Sequence, residues 1–245
     1  MAGEHEEHEA ADHDTGVLHT LPLFPLGSVL VPGAYLPLQV FEPRYRALVE
    51  VLLRLPPRRR AFGVIGIRAG HEVGEGAATA LFEVGCVARV RSIDPQDDGR
   101  YLLETVGGRR FRLEELDFLA DTAYPTGLVR YLGEPFAPPG EHVSAGELGV
   151  QVAAVASRFR RYLSRVATPE SIPAELPDDA TNLSYLIASL AVLDRADRHL
   201  LLQVPDALSR LRLASRLLAR EELLLRELNA IPATDLMVQR GLSGG

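Results

Sequence analysis

Three histidines near the amino terminus, His5, His8 and His13, lie among Glu and Asp residues. Imidazole and carboxylate groups are donors for divalent metals, so this pattern could bind a metal ion. The same stretch is acidic and poor in aromatic and β-branched residues, which is typical of a solvated segment without a core. We favour the second interpretation and predict a disordered acidic tail over residues 1–19, with no metal and no cofactor.

Two other groups of residues could act as nucleophiles. Cys86 is the single thiol and lies in an apolar run, where a cysteine usually behaves as a small inert hydrophobic residue. Ser164 with His199, or Ser184 with Asp194, could belong to a catalytic triad only if the fold brought them together. No G-x-S-x-G motif supports that arrangement, so we assign no catalytic residue.

The chain has no lysine, because all 26 of its basic residues are arginine. A Walker A loop needs a lysine ammonium on the nucleotide phosphates, and Ser-Lys and Schiff-base chemistry need a lysine that can lose its proton. Arginine cannot replace lysine as a base, since its guanidinium stays protonated, and it lacks the compact ammonium that a Walker A loop needs. The sequence therefore excludes these classes of enzyme, and we predict a non-catalytic protein.

Composition indicates a globular protein of one large or two small domains. The chain has 245 residues, is 47% hydrophobic and carries a net charge of -7, which argues against a general nucleic-acid binder. A single cysteine, an acidic start without a signal peptide and no apolar run of about 18 residues predict a cytoplasmic location without a membrane anchor.

The first half of the chain has the pattern of short strands separated by Gly and Pro. Apolar or alternating runs cover residues 34–40, 62–67, 80–93, 100–106, 109–116 and 126–132. Asp97, Asp98 and Gly99 supply the residues of a hairpin turn. A helix over 43–54 has one apolar face, formed by Tyr45, Leu48, Val49 and Leu52. We predict an antiparallel curled sheet or barrel over residues 20–136.

The second half has helical periodicity. Ser144 and Glu147 form a capping box that begins a long helix, and a Pro-rich loop at 168–179 ends it. Three further helices are predicted, one through residues 183–190, one beginning at Asp194 and a longer one at Asp206. We predict an α-helical bundle over residues 141–231 and a disordered tail over 232–245. Three of its residues should be deeply buried: Phe159, Leu211 and Leu218.

The stretch EPFAPPGEH, residues 134–142, has the composition of a domain linker. The apolar face of the predicted helix over 43–54 needs a partner, and the helix that begins at Ser144 is the nearest candidate along the chain. We therefore predict that the two halves dock closely and unfold together.

One apolar segment is a candidate polypeptide-binding surface. The stretch VPGAYLPLQVFEPRY combines prolines, which favour sheet edges, with apolar side chains at Tyr35, Leu36, Leu38, Phe41 and Tyr45. An apolar edge strand can take up extended polypeptide by strand pairing and hydrophobic contact. The alternative is that these side chains only seal the barrel against the helix over 43–54.

Three segments carry a resemblance to a known family. LPLFPLGSVLVPGAYLPLQVFEPRYRALVE (21–50) resembles the opening signature of the Lon protease amino-terminal domain family, in its free-standing bacterial form. FEVGCVARV (82–90) with GGRRFRL (107–113), and the segment over 183–225, are similar to later parts of that family. The resemblance covers residues 21–228 and implies an α+β fold, a PUA-like antiparallel β-pseudobarrel followed by an α-helical bundle.

The resemblance also implies a function. In full-length Lon proteases the similar region captures substrates and precedes an ATPase and a Ser-Lys protease domain, neither of which this lysine-free chain can contain. The cereblon-like branch of the fold has a zinc on four cysteines and a tryptophan cage, whereas this chain has one Cys and no Trp. We therefore predict a non-catalytic module that binds unfolded polypeptide or a protein partner, as an adaptor or regulator of proteolysis.

The alternative is a PUA-like RNA- or nucleotide-binding protein. It is motivated by Arg58, Arg59 and Arg60, which follow two prolines and form a candidate patch for an anion or a partner. A solvated loop explains the same residues, and the acidic chain favours that explanation.

Overall fold

The computed structural model describes residues 17–69, 80–117 and 122–227. Within these ranges the strands all precede residue 132, and four of the five α-helices follow residue 144. The strands are β1 (His19–Leu26), β2 (Tyr35–Val40), β3 (Ala61–Ala69), β4 (Ala80–Pro95), β5 (Tyr101–Leu116) and β6 (Thr126–Tyr131). The helices are α1 (Pro43–Leu53), α2 (Ala145–Val166), α3 (Ala180–Leu190), α4 (Arg195–Gln203) and α5 (Ala207–Glu227).

The six strands form one sheet that closes on itself. Their order is β2-β5-β4-β3-β1-β6, and β6 also pairs with β5. Closure is possible because β5 is 16 residues long: its first half pairs with β2 and its second half with β6. Five strands therefore form a ring with β2 attached outside it, which confirms the α+β class and the predicted barrel.

One pairing corrects the expectation of a wholly antiparallel sheet. Strands β1 and β3 run parallel, with Leu23 opposite Gly63 and Leu26 opposite Gly66. A parallel pair needs a crossover connection, and the segment that contains β2 and α1 provides it. The starts of β1 and β3 consequently lie at the same end of the barrel.

Strand β1 was not among the predicted runs, because Pro22 and Pro25 break its pattern. It tolerates them by changing partner: residues 19–22 pair with β6 and residues 23–26 pair with β3. The predicted runs over 100–106 and 109–116 are one continuous strand, β5. The predicted hairpin turn between β4 and β5 is confirmed, with Gly99 in the left-handed region at φ 77°.

The helical half follows the predicted caps. Ser144 and Glu147 form the capping box of α2, and the carboxylates of Asp179, Asp194 and Asp206 accept backbone N–H groups at the starts of α3, α4 and α5. The three residues predicted to be deeply buried are at most 1% exposed: Phe159, Leu211 and Leu218. The predicted positions of these helices are therefore confirmed.

The two halves share one apolar core. A single cluster of buried residues contains side chains of β1, β3, β4, α1, α2, α3 and α5. Helix α1 packs against the barrel, where Tyr45 stacks on Phe24 with ring centroids 4.0 Å apart. The main junction is not the predicted contact between α1 and α2. Helix α4 lies on β4 instead, with the ring of His199 3.6 Å from that of Phe82.

Candidate functional site

Strand β2 is the edge of the described sheet. It pairs with β5 from Tyr35 opposite Val106 to Val40 opposite Tyr101, and no other described strand pairs with it. The N–H of Gly107 donates to the carbonyl of Ala34 at 2.8 Å. Bonding alternates along an antiparallel pair, so the backbone groups of every second residue after Ala34 face β5. The backbone groups of Tyr35, Pro37 and Gln39 therefore face away from the sheet, as the position of a proline without an N–H requires.

Strand alternation divides the predicted polypeptide-binding residues between two faces. Tyr35 is 59% exposed and Phe41 is 41% exposed, whereas Leu36 and Leu38 are half-buried and pack against the core. Tyr45 is 3% exposed beneath Phe24 and cannot contribute to a surface. The sequence pattern overestimated this surface because successive side chains of a strand point to opposite faces.

A further apolar residue completes the exposed face. Leu102 of β5 lies opposite Gln39 and is 42% exposed. Beside it, the hydroxyl of Tyr35 donates to Glu104 Oε1 at 3.2 Å, which fixes the aromatic ring along the sheet. We call Tyr35, Phe41 and Leu102 the β2 edge surface. Sequence reasoning missed Leu102 because the turn that sets the register of β5 against β2 is far from β2 in the chain.

The predicted arginine patch is only partly available. Arg58 and Arg59 are exposed in a short 3-10 turn, Pro57–Arg59, just before β3. Arg60 is used within the fold: its Nε donates to the carbonyl of Leu55 at 3.0 Å and its Nη2 to that of Leu53 at 3.3 Å. The patch predicted from three arginines therefore presents two of them.

A buried ion network joins the barrel to the helices, and the sequence did not predict it. Arg110 of β5 is 1% exposed, and its Nε donates to Glu134 Oε1 at 2.6 Å. Its other N–H groups donate to four carbonyls, those of Gly133, Leu202, Val204 and Pro205. A guanidinium with five donors is suited to this position because every donor finds an acceptor.

The same carboxylate holds a second buried arginine. Arg210 of α5 donates from Nη2 to Glu134 Oε2 at 2.8 Å and stacks over the ring of Tyr185 at 3.9 Å. The hydroxyl of Tyr185 donates to Glu134 Oε1 at 2.6 Å, and burial raises the pKa of this tyrosine above its ordinary value. We call Arg110, Glu134, Tyr185 and Arg210 the junction network.

The stretch predicted to be a linker is part of this junction. Besides Glu134, the carbonyls of Pro135 and Phe136 accept the N–H groups of Ala207 and Leu208 at 3.0 and 2.9 Å. These are among the first amides of α5, which have no partner within their own helix. The segment after β6 therefore caps α5 and fixes it to the barrel.

The comparisons with known proteins identify the family. Residues 20–220, more than half of the chain, match the ATP-dependent protease La (LON) substrate-binding domain. The chain belongs to this family.

Related Lon proteases match with similar identity. The chain is 28% identical to Lon protease 2 of Myxococcus xanthus over 212 residues, and 27% identical to the Lon protease of Anaeromyxobacter dehalogenans over 215 residues. Each match covers 86% of this chain but 25% and 24% of the relative. The chain thus spans about a quarter of the length of these relatives.

Two solved structures of Lon amino-terminal domains have the same fold. A Lon N-terminal domain protein from Xanthomonas campestris is 27% identical with a TM-score of 0.55, and the match covers 82% of this chain and 98% of that one. The N-terminal domain of a Lon protease from the Mycobacterium avium complex has a TM-score of 0.57, with the same coverages, at 14% identity. Because its identity is low, this second structure shows similarity of fold alone.

The residues considered for nucleophilic chemistry do not form a site. Cys86 is 0% exposed, burial raises the pKa of its thiol, and its Sγ donates to the carbonyl of Gly108 at 3.4 Å. The hydroxyls of Ser164 and Ser184 donate to backbone carbonyls of their own helices. Asp194 caps α4. The Lon-family fold therefore gives each of these residues a local structural role.

His199 is buried at the junction of the two halves without a polar partner. It is 3% exposed, neither ring nitrogen has a hydrogen-bond partner, and desolvation lowers its pKa to about 4. A neutral imidazole against Phe82 is consistent with packing and not with proton transfer.

Within residues 17–69, 80–117 and 122–227, no group of His, Cys, Asp and Glu is arranged to hold a metal ion. The candidates His5, His8 and His13 lie outside the described residues. Among the described helices, none is long and apolar enough to span a bilayer.

Proposed function

We propose that this chain is a non-catalytic module that binds unfolded or extended segments of other proteins at the β2 edge surface. The observation that carries the proposal is an edge strand whose outward backbone groups lie beside exposed Tyr35 and Leu102. An extended segment can pair with such an edge while its side chains contact the apolar residues.

Membership of the Lon substrate-binding domain family supports a polypeptide as the ligand. The chemistry of the chain supports a role without catalysis. Because it has no lysine, it carries neither a P-loop lysine nor the lysine of a Ser-Lys dyad. We therefore place it as an adaptor or regulator of proteolysis in the cytoplasm, one that binds clients without cleaving them.

A permanently unfolded probe tests this function. Fluorescently labelled, reduced and carboxymethylated α-lactalbumin should bind the full-length chain, and the double variant Tyr35→Ser with Phe41→Ser should bind it about tenfold more weakly, equivalent to about 1.4 kcal/mol. Both side chains are exposed, so the variant should retain the unfolding midpoint of the original chain.

The matched control is the double variant Leu223→Ser with Leu224→Ser, which removes two leucines of α5 that are 55% and 43% exposed. This control should bind the probe as the original chain does. If both double variants bind the probe equally weakly, the binding is unspecific apolar adsorption, and the assignment to the β2 edge surface is overturned.

The second candidate function is binding of RNA or a nucleotide. It is favoured by Arg58 and Arg59, which are exposed and make no ion pair among the described residues. A salt-dependent affinity for a labelled single-stranded RNA that is lost in the variant Arg58→Gln with Arg59→Gln would support it. An affinity unchanged by this substitution would argue against these residues as the site.

A further inference from the structure

We propose that the acidic amino-terminal segment, residues 1–16, binds in cis to an arginine cluster at one end of the barrel. The cluster consists of Arg54, Arg58, Arg59 and Arg91, and we call it the arginine end. The segment would act as an internal competitor for any anionic partner of this end. This inference does not depend on the proposed binding of polypeptide at the β2 edge surface.

The topology of the barrel places the start of the described chain near the arginine end. Strands β1 and β3 are parallel, so the chain before His19 and the turn before Ala61 lie at the same end of the barrel. Leu23 lies opposite Gly63, so the first residues of β1 lie near the turn that precedes β3. The acidic segment therefore joins the described fold where Arg58 and Arg59 are exposed.

Two further arginines lie at this end. Arg54 follows the last residue of α1 and precedes the turn that carries Arg58. The N–H of Val90 donates to the carbonyl of Arg60 at 2.9 Å, so Arg91, the next residue of β4, lies beside the turn that carries Arg59. The positive charge thus comes from the end of α1, the turn before β3 and strand β4.

These four arginines have no acidic partner in the described fold. All four are exposed, and none forms an ion pair with a carboxylate of the described residues. Several other surface arginines do have acidic partners, as in the pairs Arg100–Asp98, Arg112–Glu83, Arg130–Glu114, Arg212–Glu141 and Arg220–Asp197. Arg60 keeps the turn in place through its bonds to the end of α1. The arginine end therefore carries four positive charges that form no ion pair within the described fold.

The acidic segment has the complementary charge. It contains no arginine and six carboxylates: Glu4, Glu6, Glu7, Glu9, Asp12 and Asp14. Without these six the net charge of the chain changes from -7 to -1, so most of the negative excess lies in this segment. The overall acidity of the chain therefore comes mainly from this segment.

The segment is long enough to reach the cluster. A chain spans up to about 3.3 Å per residue, so ten residues before Val17 cover about 30 Å. A single exposed ion pair contributes less than about 1 kcal/mol, but a short tether raises the effective concentration into about the millimolar range. Several such pairs can then hold the segment on the arginine end at low ionic strength, and an external anion must displace it.

Paramagnetic relaxation in the full-length chain tests the contact directly. A nitroxide is attached through Ala10→Cys, and the buried Cys86 with its raised thiol pKa is left unlabelled. We expect the amide signals of Arg58, Arg59 and Arg91 to lose more than half of their intensity in dilute buffer. They should recover in about 1 M NaCl, where the Debye length is about 3 Å.

The matched control separates charge from simple tethering. The same label is placed in a chain whose six acidic residues are replaced by Gln or Asn, which keeps the length and position of the segment. Weaker broadening in this neutral chain than in the acidic chain supports the proposal. Equal broadening in the two chains, or broadening unaffected by salt, would overturn it.

A second measurement tests whether the acidic segment competes with an external acidic peptide for the arginine end. A fluorescein-labelled decaglutamate peptide should bind the chain with the neutral segment several-fold more tightly than the original chain. The variant Arg58→Gln with Arg59→Gln should remove this difference. Identical affinities of the neutral and acidic chains would show that the segment does not cover the arginine end.

Discussion

Nε of Arg110 donates to Oε1 of Glu134 at 2.6 Å, and this bond joins the middle of β5 to the segment that leads into the helices. Glu134 also accepts from Tyr185 and Arg210, so one carboxylate serves two arginines that are at most 1% exposed. Removing the acceptor leaves both guanidinium groups buried without a counter-charge, which is strongly destabilising.

We therefore expect Glu134→Gln to lower the free energy of unfolding by about 2 to 4 kcal/mol, measured by urea denaturation. The control is Glu141→Gln in the same segment, because Glu141 pairs with Arg212 where both side chains are at least 32% exposed. That variant should lose less than about 1 kcal/mol. Similar losses for the two variants would contradict the role given to the junction network.

The shared core and the junction network predict one cooperative unfolding transition. Far-ultraviolet circular dichroism and tyrosine fluorescence of the full-length chain should report the same urea midpoint. A fragment of residues 1–138 retains Arg110 and Glu134 but lacks Arg210 and the apolar partners on the helices. It should aggregate or remain molten, and a sharp independent transition close to that of the whole chain would refute the coupling.

His199 should make the stability sensitive to acid. Burial lowers its pKa to about 4 from the ordinary 6.5, so the unfolded chain takes up the proton first as the pH falls. The stabilising effect of the neutral imidazole is complete above about pH 6.5 and is lost progressively down to about pH 4, amounting to about 3 kcal/mol. The variant His199→Leu should lack this part of the pH dependence.

The measurement is the difference in unfolding free energy between His199→Leu and the original chain at several pH values. Other titrating groups cancel in this difference. As the pH falls from about 6.5 to about 4, His199→Leu should become more stable relative to the original chain. A difference that is constant with pH would show that His199 does not titrate between the folded and unfolded states.

Gly107 is a position where the barrel leaves no space for a side chain. A Cβ there would lie 2.0 Å from the carbonyl oxygen of Val31, a backbone atom held beside the bonds of Gly107 with Gly33 and Ala34. We expect Gly107→Ala to destabilise the chain by about 2 to 4 kcal/mol, with a lower melting temperature.

The comparison variant for Gly107 is Gly149→Ala in α2, where a Cβ would meet nothing within 4 Å. Alanine has a higher helix propensity than glycine, so this change should stabilise the chain by about 0.5 to 1 kcal/mol. The two glycine substitutions should thus have opposite signs. A gain in stability from Gly107→Ala would mean that the loop at Val31 moves freely.

The sequence predicted the features that depend on local pattern. Capping residues such as Ser144 and Asp194, the turn at Gly99 and the stripe that buries Phe159 are set by neighbours within a few positions, and all were confirmed. The parallel pairing of β1 with β3 was missed because it depends on a crossover and not on a local signal. Strand β1 was hidden by its prolines.

The candidate site was predicted less well for the same reason. Tyr35 and Phe41 lie on the exposed face, but Tyr45 is covered by Phe24, and Leu102 joins the surface from a distant strand. The junction network was missed entirely, since Glu134 reads as an ordinary linker residue and its partner Arg210 is 76 residues away. Such long-range contacts leave no periodicity in a single sequence.

Because the ring of strands closes through β5 and β6, β2 can separate from β5 without opening the barrel. The interactions lost are the hydrogen bonds of one short ladder and the contacts of Leu36, Leu38 and the buried Val40 with the core. Its amides should therefore exchange with solvent deuterium through a local opening of lower free energy than global unfolding, while those shared by β3 and β4 exchange only on global unfolding. Strand β2 can therefore lose and re-form its pairing with β5 while the ring of five strands stays intact.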